Sequence, residues 1–194
     1  DRVRLRAEQL GPFRVLGLVK LVDRTFPGLL DSIPFFVKEL FQKALSAFPK
    51  TSFAEQQALV AFAVNHEKCL LDTALKALME EKKISIRHFL VTLLSCFSSA
   101  ATPTFVTKSR TSPWYVTRNL AIVLGQQGFP QGFPTLQALS KHPHPKVVRE
   151  ALKALKRVRT SRSDSRRVKQ ESSETELSLQ DFENREKSYG AECT

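Results

Sequence analysis

The sequence predicts an all-α fold built from stacked helical pairs, an α-solenoid. Three observations carry that expectation. Apolar residues recur at the 3.6-residue period of helices through most of the first 158 positions. Glycine and tyrosine are scarce, at 7 and 2 against 14 phenylalanines, and runs of strict apolar–polar alternation are few, which argues against a sheet protein. Finally, one stretch of the C-terminal half repeats itself at an offset of 31 residues (114–124 against 145–155).

The elements follow in order. Residues 1–10 read as the end of a helix, punctuated by Gly11-Pro12. Residues 13–24 form a short amphipathic helix with Val15, Leu18, Val19 and Val22 on one side. Within 29–48, Ile33, Val37, Leu40, Phe41, Ala44, Leu45 and Phe48 share one helical face, with Pro34 near its start and Pro49 at its end. Ser52 with Glu55 makes a capping box that opens a helix over 53–64. Helices at 67–82 and 85–99 follow, the latter apolar nearly all round and expected in the middle of the stack. Residues 99–112, rich in Ser, Thr, Ala and Pro, read as a long loop. Pro113 opens a helix to about Gly125, stopped by Gly128 and Pro130. Helices at 131–140 and 146–158 complete the set, with Pro145 suited to a first helical position. From 159 to 194 apolar residues thin out and Ser, Arg, Gln and Glu dominate, so the chain divides into a helical domain at 1–158 and a disordered charged tail at 159–194.

In the repeat, Val116, Arg118 and Leu124 recur as Val147, Arg149 and Leu155, with a second helix between them. Together with the Leu124-Gly125 end and the Pro134-x-Leu136-x-x-Leu139 pattern, these residues resemble the bacterial HEAT-like repeats, including those of the phycobilin-lyase type, over 113–158. Such arrays serve scaffolding, enzyme regulation, nucleic-acid binding and cofactor attachment alike, so the resemblance implies a fold rather than a chemistry. One departure stands out. The resemblance implies an acidic inter-helix turn that accepts hydrogen bonds from the repeated arginine, whereas this chain has Lys141-His142-Pro143-His144-Pro145. Arg118 and Arg149 are therefore expected to lack a nearby acidic partner, and either form an internal ladder on backbone carbonyls or face a ligand.

Charge points the same way. The formal net charge is +11, and the span from Lys141 to Lys169 holds eleven basic and two acidic groups. On the last helix Val147, Val148, Ala151, Leu152, Ala154, Leu155 and Val158 read as the core side. Lys146, Arg149, Glu150, Lys153, Lys156 and Arg157 read as the other. A one-sign stripe attracts an anionic partner, although a terminal repeat also needs a polar outer face simply to stay soluble. Trp114, beside Tyr115 and after Lys108 and Arg110, either anchors a ligand or packs under the preceding loop. The candidate binding set is thus Lys146, Arg149, Lys153, Lys156, Arg157, Arg118 and Trp114.

No catalytic constellation is legible. There is no phosphate-cradling glycine loop, no nucleophile elbow, and no acidic residue between 82 and 149. His142 and His144 lack a neighbouring Cys or carboxylate that would complete a metal site, and His66-Glu67 is a single pair where a di-iron centre needs several. No cofactor and no metal are expected. Cys69 and Cys96 read as small core residues in a reducing, cytoplasmic setting, with Cys193 in the tail. No run of 18 apolar residues occurs, and a start at Asp1-Arg2-Val3-Arg4 is expected of a piece of a longer polypeptide. The expected function is a non-catalytic scaffold binding a protein partner or another domain of its own chain. The alternative is nucleic-acid binding through the basic last helix and tail. A lyase or cofactor-attachment role has no residue to support it.

Overall fold

The computed structural model describes residues 11–25 and 28–159, and the described residues contain nine α-helices and no strand. The helices are α1 Pro12–Thr25, α2 Pro34–Ala47, α3 Phe53–Asn65, α4 Glu67–Glu80, α5 Ile84–Ser95, α6 Thr102–Thr111, α7 Trp114–Gln127, α8 Phe133–Leu139 and α9 over 145–159. The expectations for residues 1–10 and for the tail lie outside the described residues.

Local chemistry sets the boundaries. Pro34 and Pro145 stand at first helical positions, where a missing N–H costs nothing. The capping box forms as expected: the Glu55 N–H donates to Ser52 Oγ at 3.3 Å and the Ser52 N–H donates to Glu55 Oε2 at 2.7 Å. The Ser52 N–H and the Ser52 hydroxyl (at 2.9 Å) both donate to that carboxylate, favour its ionised form and hold the Glu55 carboxyl below its ordinary value of 4.5. Gly128, at φ 67°, closes α7 in the left-handed conformation that glycine adopts without strain.

The reading of 99–112 as a loop is corrected. A 3-10 turn over Ser99–Ala101 leads directly into α6. Its Thr and Ser content lowers helix propensity, but packing overrides that, since Thr102, Phe105 and Ser109 are buried. Hydroxyls that would compete with the backbone instead donate to carbonyls inside it, Thr107 Oγ1 to Pro103 O at 3.0 Å and Ser109 Oγ to Val106 O at 2.8 Å. The Thr117 hydroxyl lies within 3.1 Å of both Ser109 O and Ser112 O, fastening the end of α6 to the start of α7.

Helices pack on their neighbours in the chain and on the helix two further on: α1 on α3, α2 on α4, α3 on α5 and α5 on α7. Odd-numbered helices from α1 to α7 therefore form one continuous layer, with the even-numbered helices between them in sequence packed against it, which is the helical-pair arrangement of an α-solenoid. One feature extends well beyond the expected repeat. Helices α3, α5, α7 and α9 start at 53, 84, 114 and 145, steps of 31, 30 and 31 residues. Leu59, Phe62 and Ala63 of α3 map onto Leu90, Leu93 and Leu94 of α5. They map onward to Leu120, Val123 and Leu124 of α7, and to Ala151, Ala154 and Leu155 of α9, and all twelve are buried. The spacing i, i+3, i+4 is one helical stripe facing the second layer.

Polar bonds recur at the same period. The Ser98 N–H and hydroxyl donate to the two carboxylate oxygens of Glu67, 31 residues earlier, at 2.7 and 2.8 Å. The Ser95 hydroxyl donates to Gln126 Oε1, and Gln127 Nε2 donates to Phe97 O at 3.0 Å. The Gln127 amide, which also lies 3.4 Å from Leu94 O, thereby pairs carbonyls at the end of α5 that helix geometry leaves open.

Gly125 is the tightest point of the stack. It lies in the last turn of α7, near the helix end as expected, and a Cβ built on it falls 2.3 Å from Ala154 Cβ on α9. The two helices cross there with no room for a side chain on α7.

Several smaller expectations are corrected. Leu152 is 54% exposed and Val148 only half-buried, because no other described helix packs against that side of α9. Cys96 is exposed rather than a core residue, whereas Cys69 is half-buried with its thiol 3.5 Å from Pro34 O. His66 is buried at the position equivalent to Phe97 and Val158, with Nε2 3.0 Å from Asp23 Oδ2. It ties α1 to the turn between α3 and α4. Among the described residues no single helix is long and apolar enough to cross a membrane.

Candidate functional site

The repeat register decides which side chains share a surface. In the odd-numbered layer, the positions turned away from the core stripe are 57, 88, 118 and 149, and 61, 92, 122 and 153. They are occupied by Gln57, His88, Arg118 and Arg149, then Ala61, Thr92, Ile122 and Lys153, all exposed or half-exposed. One outward face thus runs from α3 to α9, with Ile122 partly packed against the core.

Its chemistry changes along its length. At α3 and α5 the face carries an open groove of about 590 Å³ with an apolar floor that includes Val60, Val64 and Phe89. The exposed Phe53 ring and the amides of Gln57, Asn65 and half-buried Gln56 complete its lining. At α7 and α9 the same face is basic. Glu150 sits among three cations: its Oε1 lies 3.4 Å from Arg149 Nε, 3.4 Å from Lys153 Nζ and 4.0 Å from Arg118 Nη2. The expectation that Arg118 and Arg149 lack a nearby acidic partner is corrected here. The acidic group that the inter-helix turn lacks is supplied one turn into α9. Arg118 on α7 reaches it across the repeat boundary, as an inter-repeat ladder would. Glu150 belongs to this cluster rather than to a plain basic stripe, and with one carboxylate for three cations the cluster keeps a net charge of +2.

Trp114 neither packs under a loop nor stands free. Its ring stacks on His144 at 3.8 Å with an interplanar angle of 6°. Lys146 Nζ lies 5.5 Å over the indole, and Tyr115 meets its edge at 6.1 Å. The turn before α9 explains why the histidines are there. The His144 N–H donates to His142 Nδ1 at 3.0 Å, and the Lys146 N–H donates to His144 Nδ1 at 3.2 Å. His144 thus caps an otherwise unpaired donor at the start of α9. Both Nδ1 atoms are committed to backbone, and no group of three His, Cys, Asp or Glu that could hold a metal occurs among the described residues.

The structure brings Trp114, Arg118, Lys146, Arg149 and Lys153 together at the α7–α9 junction. Lys156 and Arg157 lie one turn further along α9, both exposed. Sequence reasoning missed the groove on α3 and α5. Its signal was there in the 31-residue spacing of Gln57 to His88, which only the core register makes visible.

Residues 102–167 match the family model for HEAT repeats. The matched stretch takes in α6 to α9 and so includes the whole basic end of the face. HEAT repeats generally serve as protein-interaction scaffolds. The match lends no support to the nucleic-acid alternative, nor to the phycobilin-lyase likeness in particular. Searches of curated proteins and of solved structures find no match.

Proposed function

We propose that this chain is a non-catalytic scaffold whose outward face, along α3, α5, α7 and α9, binds a segment of a protein partner or of another domain of its own chain. The observation that carries this reading is the continuity of that face. Four helices in one register present equivalent positions side by side, with no other described helix covering them. Solenoids bind through such extended surfaces because each repeat adds a similar strip of contact. The HEAT-repeat match is consistent with it.

The test is retention of a partner by the immobilised full chain, compared with Ala61→Glu and Arg149→Glu variants. Both positions are exposed, so both variants are expected to fold. Loss of the same partner from both supports the reading. A partner held equally by wild type and by both variants overturns it, as does turnover of a substrate by the purified chain alone.

A further inference from the structure

We infer that the outward face takes an extended peptide segment with an apolar anchor at one end and an acidic run at the other, the anchor seated between α3 and α5 and the acids over α7 and α9. This rests on the scaffold reading and names the chemistry of its partner.

The groove and the cationic cluster are two parts of one surface. Gln57 and Ala61, beside the groove, occupy the repeat positions that Arg149 and Lys153 occupy on α9. An occupant lying across the helices therefore meets apolar floor first and positive charge afterwards. The floor of Val60, Val64 and Phe89 is open to a Leu- or Phe-sized side chain. The amides of Gln56, Gln57 and Asn65 at its edge both donate and accept, as a peptide backbone requires.

Charge complementarity selects an acidic continuation. No Asp or Glu occurs between residues 82 and 149, whereas nine Lys and Arg do. Among the described residues Glu150 is the one carboxylate at the basic end of the face, and Arg118, Arg149 and Lys153 already share a single oxygen of it. Incoming carboxylates would relieve repulsion among those cations rather than compete with a full set of counter-charges. Lys146, which stands over Trp114, extends the positive field to the edge of the face.

Length is set by the helices. With neighbouring helices about 9 Å apart, the groove and α9 are separated by roughly 20–25 Å, which about seven extended residues span.

The experiment uses the full chain and fluorescein-labelled peptides read by anisotropy. The probe carries Leu-Phe, a Gly/Ser spacer of about six residues and four glutamates. Companions replace the glutamates by glutamine or the Leu-Phe by serine, and a single-stranded oligonucleotide of similar length serves as a further arm. The complete probe should bind at least tenfold more tightly than either companion. Its affinity should fall with salt, as that of the glutamine companion should not. Ala61→Glu should weaken the complete probe at least tenfold, and Arg149→Gln with Lys153→Gln should do the same while leaving the glutamine companion unchanged. An unaltered Trp114 emission and helical circular dichroism show that the variants are folded.

Equal binding of the serine companion overturns the inference, because the groove then contributes nothing. Tighter binding of the oligonucleotide overturns it in favour of a nucleic-acid surface. Failure of every probe, while the immobilised chain still retains a partner sensitive to Ala61→Glu, overturns this inference and leaves the scaffold reading standing.

Discussion

Replacing Gly125 by alanine tests whether the α7–α9 contact is as close as the structure shows. A Cβ at residue 125 falls 2.3 Å from Ala154 Cβ and 2.8 Å from Ala154 Cα. Ordinary carbon–carbon contact lies near 3.5–4.0 Å, so α9 must retreat by about 1.2–1.7 Å. The obstacle is partly backbone, so no rotamer change relieves it. Overpacking of this kind typically costs about 1–3 kcal/mol, and the helix-propensity gain of alanine over glycine returns up to about 1 kcal/mol. Gly125→Ala should therefore destabilise by about 1–2 kcal/mol in urea unfolding.

Two controls give the prediction its sign. Gly17, within α1, has nothing within 4 Å of a built Cβ, so Gly17→Ala should stabilise by about 0.5–1 kcal/mol. Ala154→Gly in the Gly125→Ala background removes the shorter of the two contacts and should recover part of the loss. The chain's single tryptophan supplies a local readout, because Trp114 stacks on His144 at the start of α9 and a retreating helix loosens that stack. The emission of Trp114 should shift in Gly125→Ala and not in Gly17→Ala. If Gly125→Ala instead stabilises the protein as Gly17→Ala does, α7 and α9 do not pack as described.

Other expectations are narrower. Glu150→Gln removes the carboxylate shared by Arg118, Arg149 and Lys153; it should cost about 1 kcal/mol at low ionic strength and less in high salt, checked by urea unfolding at two salt concentrations. Gly128→Ala forces a side chain into φ 67° and should destabilise by about 1 kcal/mol in the same assay. Glu55 has a folded-state carboxyl held below 4.5 by its bonds with Ser52, so its contribution is present above the ordinary value and is lost as pH falls through the lowered one. The stability difference between wild type and Glu55→Gln, which keeps an amide acceptor for the cap, should therefore shrink as pH is taken well below 4.5, as thermal unfolding across an acid series would show.

Helices with strong periodicity and clear stop signals were legible from residue order alone. The Ser52–Glu55 cap, Pro145 at a first helical position and the left-handed Gly128 all do their work within a few residues of themselves. What could not be read locally was decided by neighbours distant in sequence. The 102–111 stretch is helical because Phe105 and Ser109 are buried against other helices, which its Thr-rich composition does not announce. The upstream repeats were hidden for a related reason. Positions 59, 90, 120 and 151 hold Leu, Leu, Leu and Ala, and positions 62, 93, 123 and 154 hold Phe, Leu, Val and Ala. The core asks only for apolar volume at those places, and volume can be met in many ways, so identity drifts while register persists.

The same logic separates what was visible of the site from what was not. Lys146, Arg149 and Lys153 stood out because a charged stripe on one helix is a local pattern. Glu150 was visible too, but its place at the centre of three cations depends on Arg118 arriving from α7, 32 residues earlier. The groove needed more still. Phe89 and Thr92 of α5 complete it only because α3 and α5 lie side by side in one layer. A surface made by stacking belongs to no single segment, and its two ends are linked only through the period that aligns them. Gly125 bears on function for that reason. By letting α9 approach α7 without an intervening side chain, it sets the step between Arg118 and Arg149, and so the spacing that any segment lying along the face has to match.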